Sequence, residues 1–331
     1  MRLALLGSGE MGSTHANAYA GFQKKEGLEI AGVVSRKSSK ARRLAKRLRA
    51  PWFTNPKVVL RDDSIDAIDV TVPSGVHRRL VVEALENGKH VFCETPMALT
   101  LADADAMIAA SRANHRILMV AQVMRFVSNC QHTHSEVAAR RLGKPRLVVA
   151  RRLSRPYWSS KRPRPFRIYG EPLIELSIHD FDLANWMLGH ARSVQAAGLI
   201  GPRGAAEHAF VDITYRDGGH AQVEGSAMMP PGFPFTTALR VVCEDGVLDH
   251  EARFLGGPIP TTRYIRYTAD EREAVRVRGG DPYEAECRHF VRSVRRKADP
   301  GILSPQAERA ALRVALAATQ SIRTGRRIVL S

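Results

Sequence analysis

The sequence has few cysteines and no long apolar run. No stretch approaches the roughly 18 apolar residues that a membrane helix needs, and the opening run Leu3–Leu6 is too short for the core of a signal peptide. The cysteines are scattered and form no CxxC pair: Cys93, Cys130, Cys243 and Cys287. These absences predict a cytoplasmic protein with free thiols and no membrane segment.

Acidic residues are also in short supply. The 331 residues include 33 Asp and Glu against 50 Lys and Arg, which gives a formal net charge of +17. Such a balance raises nucleic acid as a partner. However, the sequence contains no zinc-finger spacing and no RNA-binding aromatic motif. An anionic small molecule is therefore the favoured use of the positive charge. The length favours two domains.

Strand and helix patterns alternate over residues 1–123. Five apolar runs have the length of buried strands: Leu3–Leu6, Leu28–Val34, Ala67–Val72, His90–Cys93 and Ile117–Val123. Helical patterns lie between them, including a stripe formed by Ala41, Leu44, Ala45 and Leu48. This alternation indicates βαβ units and an α/β fold with a doubly wound parallel sheet.

After residue 123 most of the strand patterns follow one another without helices. They are Leu147–Leu153, Val194–Ile200, Ala209–Tyr215, His220–Ser226, Leu239–Cys243 and Arg263–Tyr267. Two helices stand out, Leu173–Leu188 and Ala307–Arg323. We expect residues 124–331 to form an α+β domain with a large, mostly antiparallel open sheet. Its C-terminal helix, about residues 304–324, could pack back on the first domain.

A glycine-rich turn follows the first predicted strand. Gly7-Ser8-Gly9-Glu10-Met11-Gly12 fits GxGxxG and opens a helix, which is the context of a dinucleotide site. The first Gly permits a tight turn, the second admits a pyrophosphate, and the third lets helix and strand pack closely. The alternative is an ordinary glycine-rich turn. We favour dinucleotide binding.

The second predicted strand ends at Ser35-Arg36-Lys37. An NAD site usually has an acid about 20 residues beyond the fingerprint, where it accepts the ribose hydroxyls. Here a hydroxyl and two positive charges take that place, which favours the 2′-phosphate of NADP over NAD. The alternative is that Arg36 and Lys37 only begin a solvated basic helix.

Several further motifs together identify a family. They are Thr71-Val72-Pro73-Ser74-Gly75-Val76-His77, Glu86–Pro96 with Cys93-Glu94-Thr95-Pro96 at its end, Arg125-Phe126, Glu175–Asp182, and Asn185-Trp186-Met187-Leu188-Gly189. The chain resembles the Gfo/Idh/MocA family of glucose–fructose oxidoreductase, inositol dehydrogenase and their relatives. The resemblance implies a Rossmann domain over residues 1–123, nicotinamide-dependent chemistry on a sugar, cyclitol or related polyol, and a homo-oligomer formed through the C-terminal sheet.

The resemblance also assigns residues to the cofactor site. By position, Pro73, Ser74 and His77 flank the cofactor, Glu94 lies near the nicotinamide ribose, and Arg125 stands at the edge of the site. Two of these residues have simpler alternatives. His77 could cap or pack, and Glu94 could be an ordinary acid at the end of a strand.

Thr95 is the main departure from the family pattern. The family tripeptide is Glu-Lys-Pro, and its lysine assists catalysis by holding or moving the proton of the substrate hydroxyl. Thr95 has no ammonium group and cannot act as a base near neutral pH. The substitution leaves the fold in place and puts the usual dehydrogenase mechanism in question.

A carboxylate and a histidine lie on one face of the predicted helix Leu173–Leu188. Glu175 and His179 are four residues apart, so Glu175 is placed to orient the imidazole and raise its pKa. In the family the corresponding positions are usually Asp and His, both facing the substrate. We therefore expect His179 to be the acid/base, with Glu175 as its support.

The segment Ser154–Tyr169 leads into that helix and is rich in Pro and Arg. No acid occurs between Glu136 and Glu171, so Arg162 and Arg164 could attract an anionic substrate. The alternative is a basic surface or subunit-contact loop. Tyr283 matches a family position that often faces the substrate, although packing is its commoner role. His132 and His134 lack a third ligand, and we expect no metal.

Three functions remain open from the sequence. The leading one is an NADP-preferring oxidoreductase acting on a hydroxyl-bearing small molecule. The others are a relative that cleaves glycosidic bonds with a retained NAD, and a nucleotide-binding accessory or sensor protein without turnover. Thr95 is compatible with both alternatives.

Overall fold

The computed structural model describes residues 1–158, 164–255, 260–298 and 301–330. The chain forms two compact units. The first contains Met1–Phe126 and Gly279–Arg309, and the second contains Val127–Arg278 and Ala310–Ser331. The first unit thus extends to residue 126, whereas we expected a boundary after residue 123. The second domain was expected to be continuous over residues 124–331, but residues 279–309 belong to the first unit.

Residues 1–126 supply the sheet of the first unit. The elements are β1 (Arg2–Leu6), α1 (Glu10–Phe22), β2 (Glu29–Val34), α2 (Ser38–Leu48), β3 (Trp52–Phe53), α3 (Lys57–Leu60), β4 (Ala67–Val70), α4 (His77–Glu86), β5 (His90–Cys93), α5 (Leu101–Ala113) and β6 (Leu118–Val120). The described strands pair in parallel in the order β3-β2-β1-β4-β5-β6. This is the strand order of a Rossmann fold, and it confirms the expected α/β class.

The apolar runs of the first unit form its strands because both faces of a parallel sheet are covered. Leu3, Leu5 and Phe92 from the strands are completely buried. They belong to a core that also contains Tyr19 from α1 and Phe290 from the segment Gly279–Arg309. Phe92 and Phe290 stack with ring centroids 5.1 Å apart. This packing explains why Gly279–Arg309 joins the first unit.

The rest of the chain contains the second sheet and the last helices. The elements are α6 (Ser128–Ala138), β7 (Pro145–Leu153), α7 (Phe166–Tyr169), α8 (Pro172–Leu188), β8 (Ala191–Ile200), β9 (Ala206–Tyr215), β10 (His220–Ser226), β11 (Phe235–Cys243), β12 (Val247–Phe254), β13 (Thr261–Tyr267), β14 (Arg272–Ala274), α9 (Pro282–Arg296), α10 (Pro305–Thr324) and β15 (Ile328–Val329). Among the described residues, no helix combines the length and apolar character required to span a membrane.

The second sheet is large and mostly antiparallel, as expected. Its described strands run in the order β14-β13-β12-β11-β7-β10-β9-β8-β15. Only the central pair β7 and β10 is parallel within this order. Helix α8 lies on this sheet, and Gly225 permits the close approach, since a Cβ there would lie 2.1 Å from Ser177 Oγ.

A buried ion pair fastens α8 to β7. Arg152 donates from Nε and Nη2 to the two carboxylate oxygens of Asp180 at 2.8 and 3.0 Å. The two side chains are only 5% and 2% exposed. Separating α8 from β7 would leave each charge buried without its partner, which is energetically costly. The bidentate pair therefore holds the helix against the strand.

Removing one partner of this pair should therefore destabilise the second unit strongly. We expect Asp180→Ala to lower the free energy of unfolding by about 3–5 kcal/mol, since Arg152 would be left buried and unpaired. Urea denaturation measures the loss. The matched control is Glu273→Ala, whose exposed pair with Arg266 should be worth under about 1 kcal/mol. Equal small losses in the two variants would contradict this reading of the pair.

Candidate functional site

The glycine turn after β1 is built for close packing at two of its positions. Gly7 has φ +125°, and a Cβ there would lie 2.6 Å from the backbone oxygen of Thr71. A Cβ on Gly12 would lie 2.5 Å from the backbone oxygen of Gly7. Both positions therefore need glycine, so that β1, α1 and the end of β4 can meet at one edge of the sheet.

Gly9 differs because it faces open space. A Cβ there would have no atom within 4 Å, and no side chain caps the helix that Gly9 begins. Glu10 and Met11 form the first turn of α1, and Ser8 is buried beside them. The open backbone at a helix N-terminus fits the pyrophosphate of a dinucleotide, which needs free N–H groups and no intervening side chain.

The end of β2 lies beside this turn. Ser8 Oγ donates to Ser35 Oγ at 2.6 Å, which joins the glycine turn to the strand end. Arg36 and Lys37 are exposed where α2 begins, and no side chain caps that helix. Two cations and an uncapped helix N-terminus suit a phosphate group.

The turn after β4 contains Pro73, Ser74 and His77. Pro73 precedes a 3₁₀ turn over Ser74–Val76, and Ser74 is buried. The Nε2–H of His77 donates to the backbone oxygen of Val72 at 2.6 Å, and the Cys93 thiol lies 3.3 Å from Nδ1. Burial lowers the pKa of His77 and keeps the ring neutral. His77 thus joins the ends of β4 and β5; its contact with a cofactor stays a prediction.

Glu94 belongs to a buried charged cluster. His15 on α1 lies 2.8 Å from Asp69 Oδ2 through Nδ1 and 2.8 Å from Glu94 Oε1 through Nε2. Tyr19 Oη donates to the same Asp69 oxygen at 2.9 Å. Burial opposes the charge on His15, but Asp69 and Glu94 raise its pKa well above the usual value. The cluster is therefore an imidazolium held between two carboxylates.

Thr95 follows Glu94 and faces a second buried carboxylate. Its Oγ1 donates to Glu308 Oε1 at 2.6 Å, and its backbone N–H donates to Glu94 Oε2 at 3.0 Å. Glu308 stands in the first turn of α10 and is 1% exposed. The residue that replaces the family lysine thus has an acidic partner 213 positions away.

Arg125 and Tyr283 also lie in the first unit. Arg125 is buried, and its Nη1 donates to the backbone oxygen of Ile302 at 2.8 Å. Tyr283 opens α9 and packs, partly buried, against the apolar core. Packing is the observed environment of Tyr283, and its contact with substrate stays a prediction.

His179 and Glu175 lie on α8 in the second unit, and Glu175 forms an ion pair with Arg164. Its Oε1 accepts a bond from Arg164 Nη2 at 2.7 Å. Burial together with Arg152 lowers the pKa of His179 to about 3. The expectation that Glu175 raises this pKa is wrong. The helical spacing predicted that Glu175 and His179 share one face of α8. However, Arg164 binds the Glu175 carboxylate, and the buried guanidinium of Arg152 opposes protonation of the His179 ring.

The basic segment before α8 is held by aromatic rings. Arg164 lies over Tyr169 at 4.2 Å and over Tyr157 at 5.2 Å. Arg203 lies over Phe166 at 4.0 Å. Arg164 therefore orders the start of α8. Arg162, the other predicted substrate residue, lies outside the described residues.

Several residues of these sites were not predicted from the sequence. His15, Asp69 and Glu308 are polar residues within apolar or helical patterns, and Arg152 lies in a strand among other arginines. A buried polar residue in an apolar strand, such as Asp69 in Ala67–Val70, is the one signal that could have suggested a buried partner.

Comparison with known proteins identifies both parts of the chain. The family model described as "Oxidoreductase family, NAD-binding Rossmann fold" of Gfo/Idh/MocA matches residues 1–122. The model of the Gfo/Idh/MocA C-terminal domain matches residues 130–249. The two models together cover most of the chain.

Proteins that match this chain over nearly its whole length belong to the same group of enzymes or have the same fold. Scyllo-inositol 2-dehydrogenase (NAD(+)) of Bacillus subtilis is 27% identical, over 98% of this chain and 95% of that protein. Myo-inositol 2-dehydrogenase of Thermotoga maritima is 25% identical, over 100% of this chain and 98% of that protein. The structure of aldose-aldose oxidoreductase from Caulobacter crescentus has the same fold, with a TM-score of 0.87, 21% identity and coverage of 100% and 99%.

The lowered pKa of His179 has a measurable consequence. The unfolded chain binds a proton as pH falls below about 6.5, whereas the folded ring resists protonation to about 3, so His179 reduces stability in that interval. Histidine ring NMR should show His179 neutral at pH 5. In His179→Asn the loss of stability with falling pH should become shallower, by at most about 1.4 kcal/mol per pH unit. A ring that titrates near 6.5 would contradict the burial argument.

Proposed function

The chain belongs to the Gfo/Idh/MocA family of oxidoreductases, and on that premise we propose that it oxidises a carbinol of a sugar, cyclitol or related polyol with NADP as the preferred cofactor. The observation that carries the proposal is the glycine turn, where Gly9 leaves an uncapped helix N-terminus open beside two exposed cations. The two curated relatives described are inositol dehydrogenases. That substrate class is therefore the first to test.

The first unit would hold the dinucleotide. When bound, its nicotinamide ring supplies the hydride acceptor. The N-terminus of α1 would bind the pyrophosphate, and Arg36 and Lys37 would bind the 2′-phosphate. The ordered loops after β4 and β5, with Pro73, Ser74 and Glu94, together with Arg125, would flank the ring and its ribose. The buried cluster around His15 keeps the second of these loops in place.

His179 would take part in the reaction as a neutral imidazole. A neutral ring has one donor and one acceptor, which suits a hydroxyl group that also has both. Burial and Arg152 disfavour the charged ring. We therefore assign His179 to binding and orienting the substrate hydroxyl, and not to being the final destination of its proton. Glu175 positions the start of α8 through Arg164.

The cofactor preference is tested at Arg36. NADP(H) should bind more tightly than NAD(H), and Arg36→Asp should invert that order because a carboxylate repels the 2′-phosphate. Loss of one charged contact should cost about 1.5–3 kcal/mol of NADP(H) binding. Titration calorimetry with both cofactors measures the difference. Arg43→Asp, another exposed basic residue on α2, is the control and should change the preference little. Tighter NAD(H) binding by the unmodified protein would overturn the preference.

The substrate class and the role of His179 are tested together. We expect NADPH formation with at least one member of a panel of myo-inositol, scyllo-inositol, glucose and other sugars and polyols. His179→Ala should lower kcat by about 10²-fold through misplacement of the hydroxyl, while NADP(H) affinity persists. His190→Asn, at an exposed position, is the control. Retention of near-full kcat in His179→Ala would remove His179 from the site.

A further inference from the structure

The hydroxyl of Thr95 is the outer member of a hydrogen-bonded pair with a buried carboxylate. Thr95 Oγ1 donates to Glu308 Oε1 at 2.6 Å. The backbone N–H of Met97 donates to the same oxygen at 3.2 Å, and Gln122 Nε2 donates to Glu308 Oε2. These donors hold the Glu308 carboxylate in one position. The hydroxyl proton of Thr95 points toward Glu308 Oε1.

The pair lies at the carboxyl edge of the first sheet. Thr95 follows the end of β5, and Gln122 follows the end of the neighbouring strand β6. Ligands of open parallel sheets bind outside this edge. Thr95 is half-buried whereas Glu308 is 1% exposed. Thr95 is thus the member of the pair that is more open to a molecule bound at this edge.

We infer that Thr95 and Glu308 form a proton relay that takes the proton of the substrate hydroxyl during oxidation. This inference rests on the proposed function. As the carbinol C–H bond breaks, its electron pair leaves with the hydrogen for the nicotinamide. The substrate O–H proton passes to Thr95 Oγ1, and the proton already on Thr95 passes to Glu308 Oε1. The carbinol becomes a carbonyl, and Glu308 becomes a carboxylic acid. After the product leaves, Glu308 returns its proton to Thr95 Oγ1 while the proton on Thr95 passes to water.

The relay explains how a threonine can stand where the family has a proton-accepting lysine. A threonine cannot hold an extra proton near neutral pH, but it can accept one proton while it gives up another. The structure also limits the other acceptors. Glu94 is occupied by His15 and by the N–H of Thr95, and a proton on His179 would be disfavoured by burial and Arg152. Glu308 is the acid that the Thr95 hydroxyl itself contacts.

The relay predicts that its two members act as one unit. With a polyol that the wild-type enzyme oxidises, Thr95→Val and Glu308→Gln should each lower kcat by about 10²-fold or more. The double variant should be no slower than the slower single variant, because both changes interrupt the same transfer. Thr95→Ser, which keeps the hydroxyl, should retain most of the activity. Glu86→Gln, on the exposed end of α4, is the matched control.

Binding separates this role from a structural one. NADPH fluorescence titration should give the same affinity for wild type, Thr95→Val and Glu308→Gln, with KM changed much less than kcat. Near-wild-type kcat in Glu308→Gln, a failure of Thr95→Ser to retain activity, or multiplicative losses in the double variant would overturn the relay alone. Thr95→Val replaces only the hydroxyl by a methyl group, so near-wild-type kcat in that variant would overturn the relay even if Glu308→Gln fails to fold. A wild-type protein that oxidises no polyol would overturn the proposed function, and the relay with it.

Discussion

A buried imidazolium between two carboxylates holds the carboxyl edge of the first sheet together. His15 on α1 lies 2.8 Å from Asp69 on β4 and 2.8 Å from Glu94 at the end of β5. Without the positive charge, two buried carboxylates would repel each other in a medium that screens them poorly. Glu94 in turn accepts the N–H of Thr95, whose hydroxyl donates to Glu308. Helices α1 and α10 and strands β4 and β5 are thus linked through charged or strongly polarised contacts.

The apolar pattern was enough to predict most of the fold. Parallel strands are buried on both faces, so Leu3–Leu6 and His90–Cys93 appear as continuous apolar runs. Two of the elements that were missed have polar side chains at buried positions. In β12, Asp249 and His250 are buried and interrupt the strand pattern. In α6, Thr133 and Glu136 are among the buried residues, so no apolar stripe marks the helix.

Local spacing predicted the candidate site less well than it predicted the fold. The turn Gly7–Gly12 works through its own backbone, so its sequence pattern was sufficient to identify it. Glu175 and His179 share a helix as expected, but Arg164 from another segment binds the carboxylate, and burial together with Arg152 lowers the pKa of the imidazole. The partner of Thr95 is 213 residues away and appears in the sequence as one Glu at the start of a helix. Long-range ion pairs leave no periodic signal in a single sequence.

Oxidation of a carbinol by a bound dinucleotide transfers a hydride from the substrate carbon to the cofactor, and an isotope on that carbon makes the transfer visible. Inositols and sugars deuterated on carbon are incubated with the protein and NADP⁺, and the cofactor is examined by mass spectrometry. We expect reduced cofactor that carries deuterium from the substrate carbon. Consumption of a substrate without deuterium in the cofactor would contradict it.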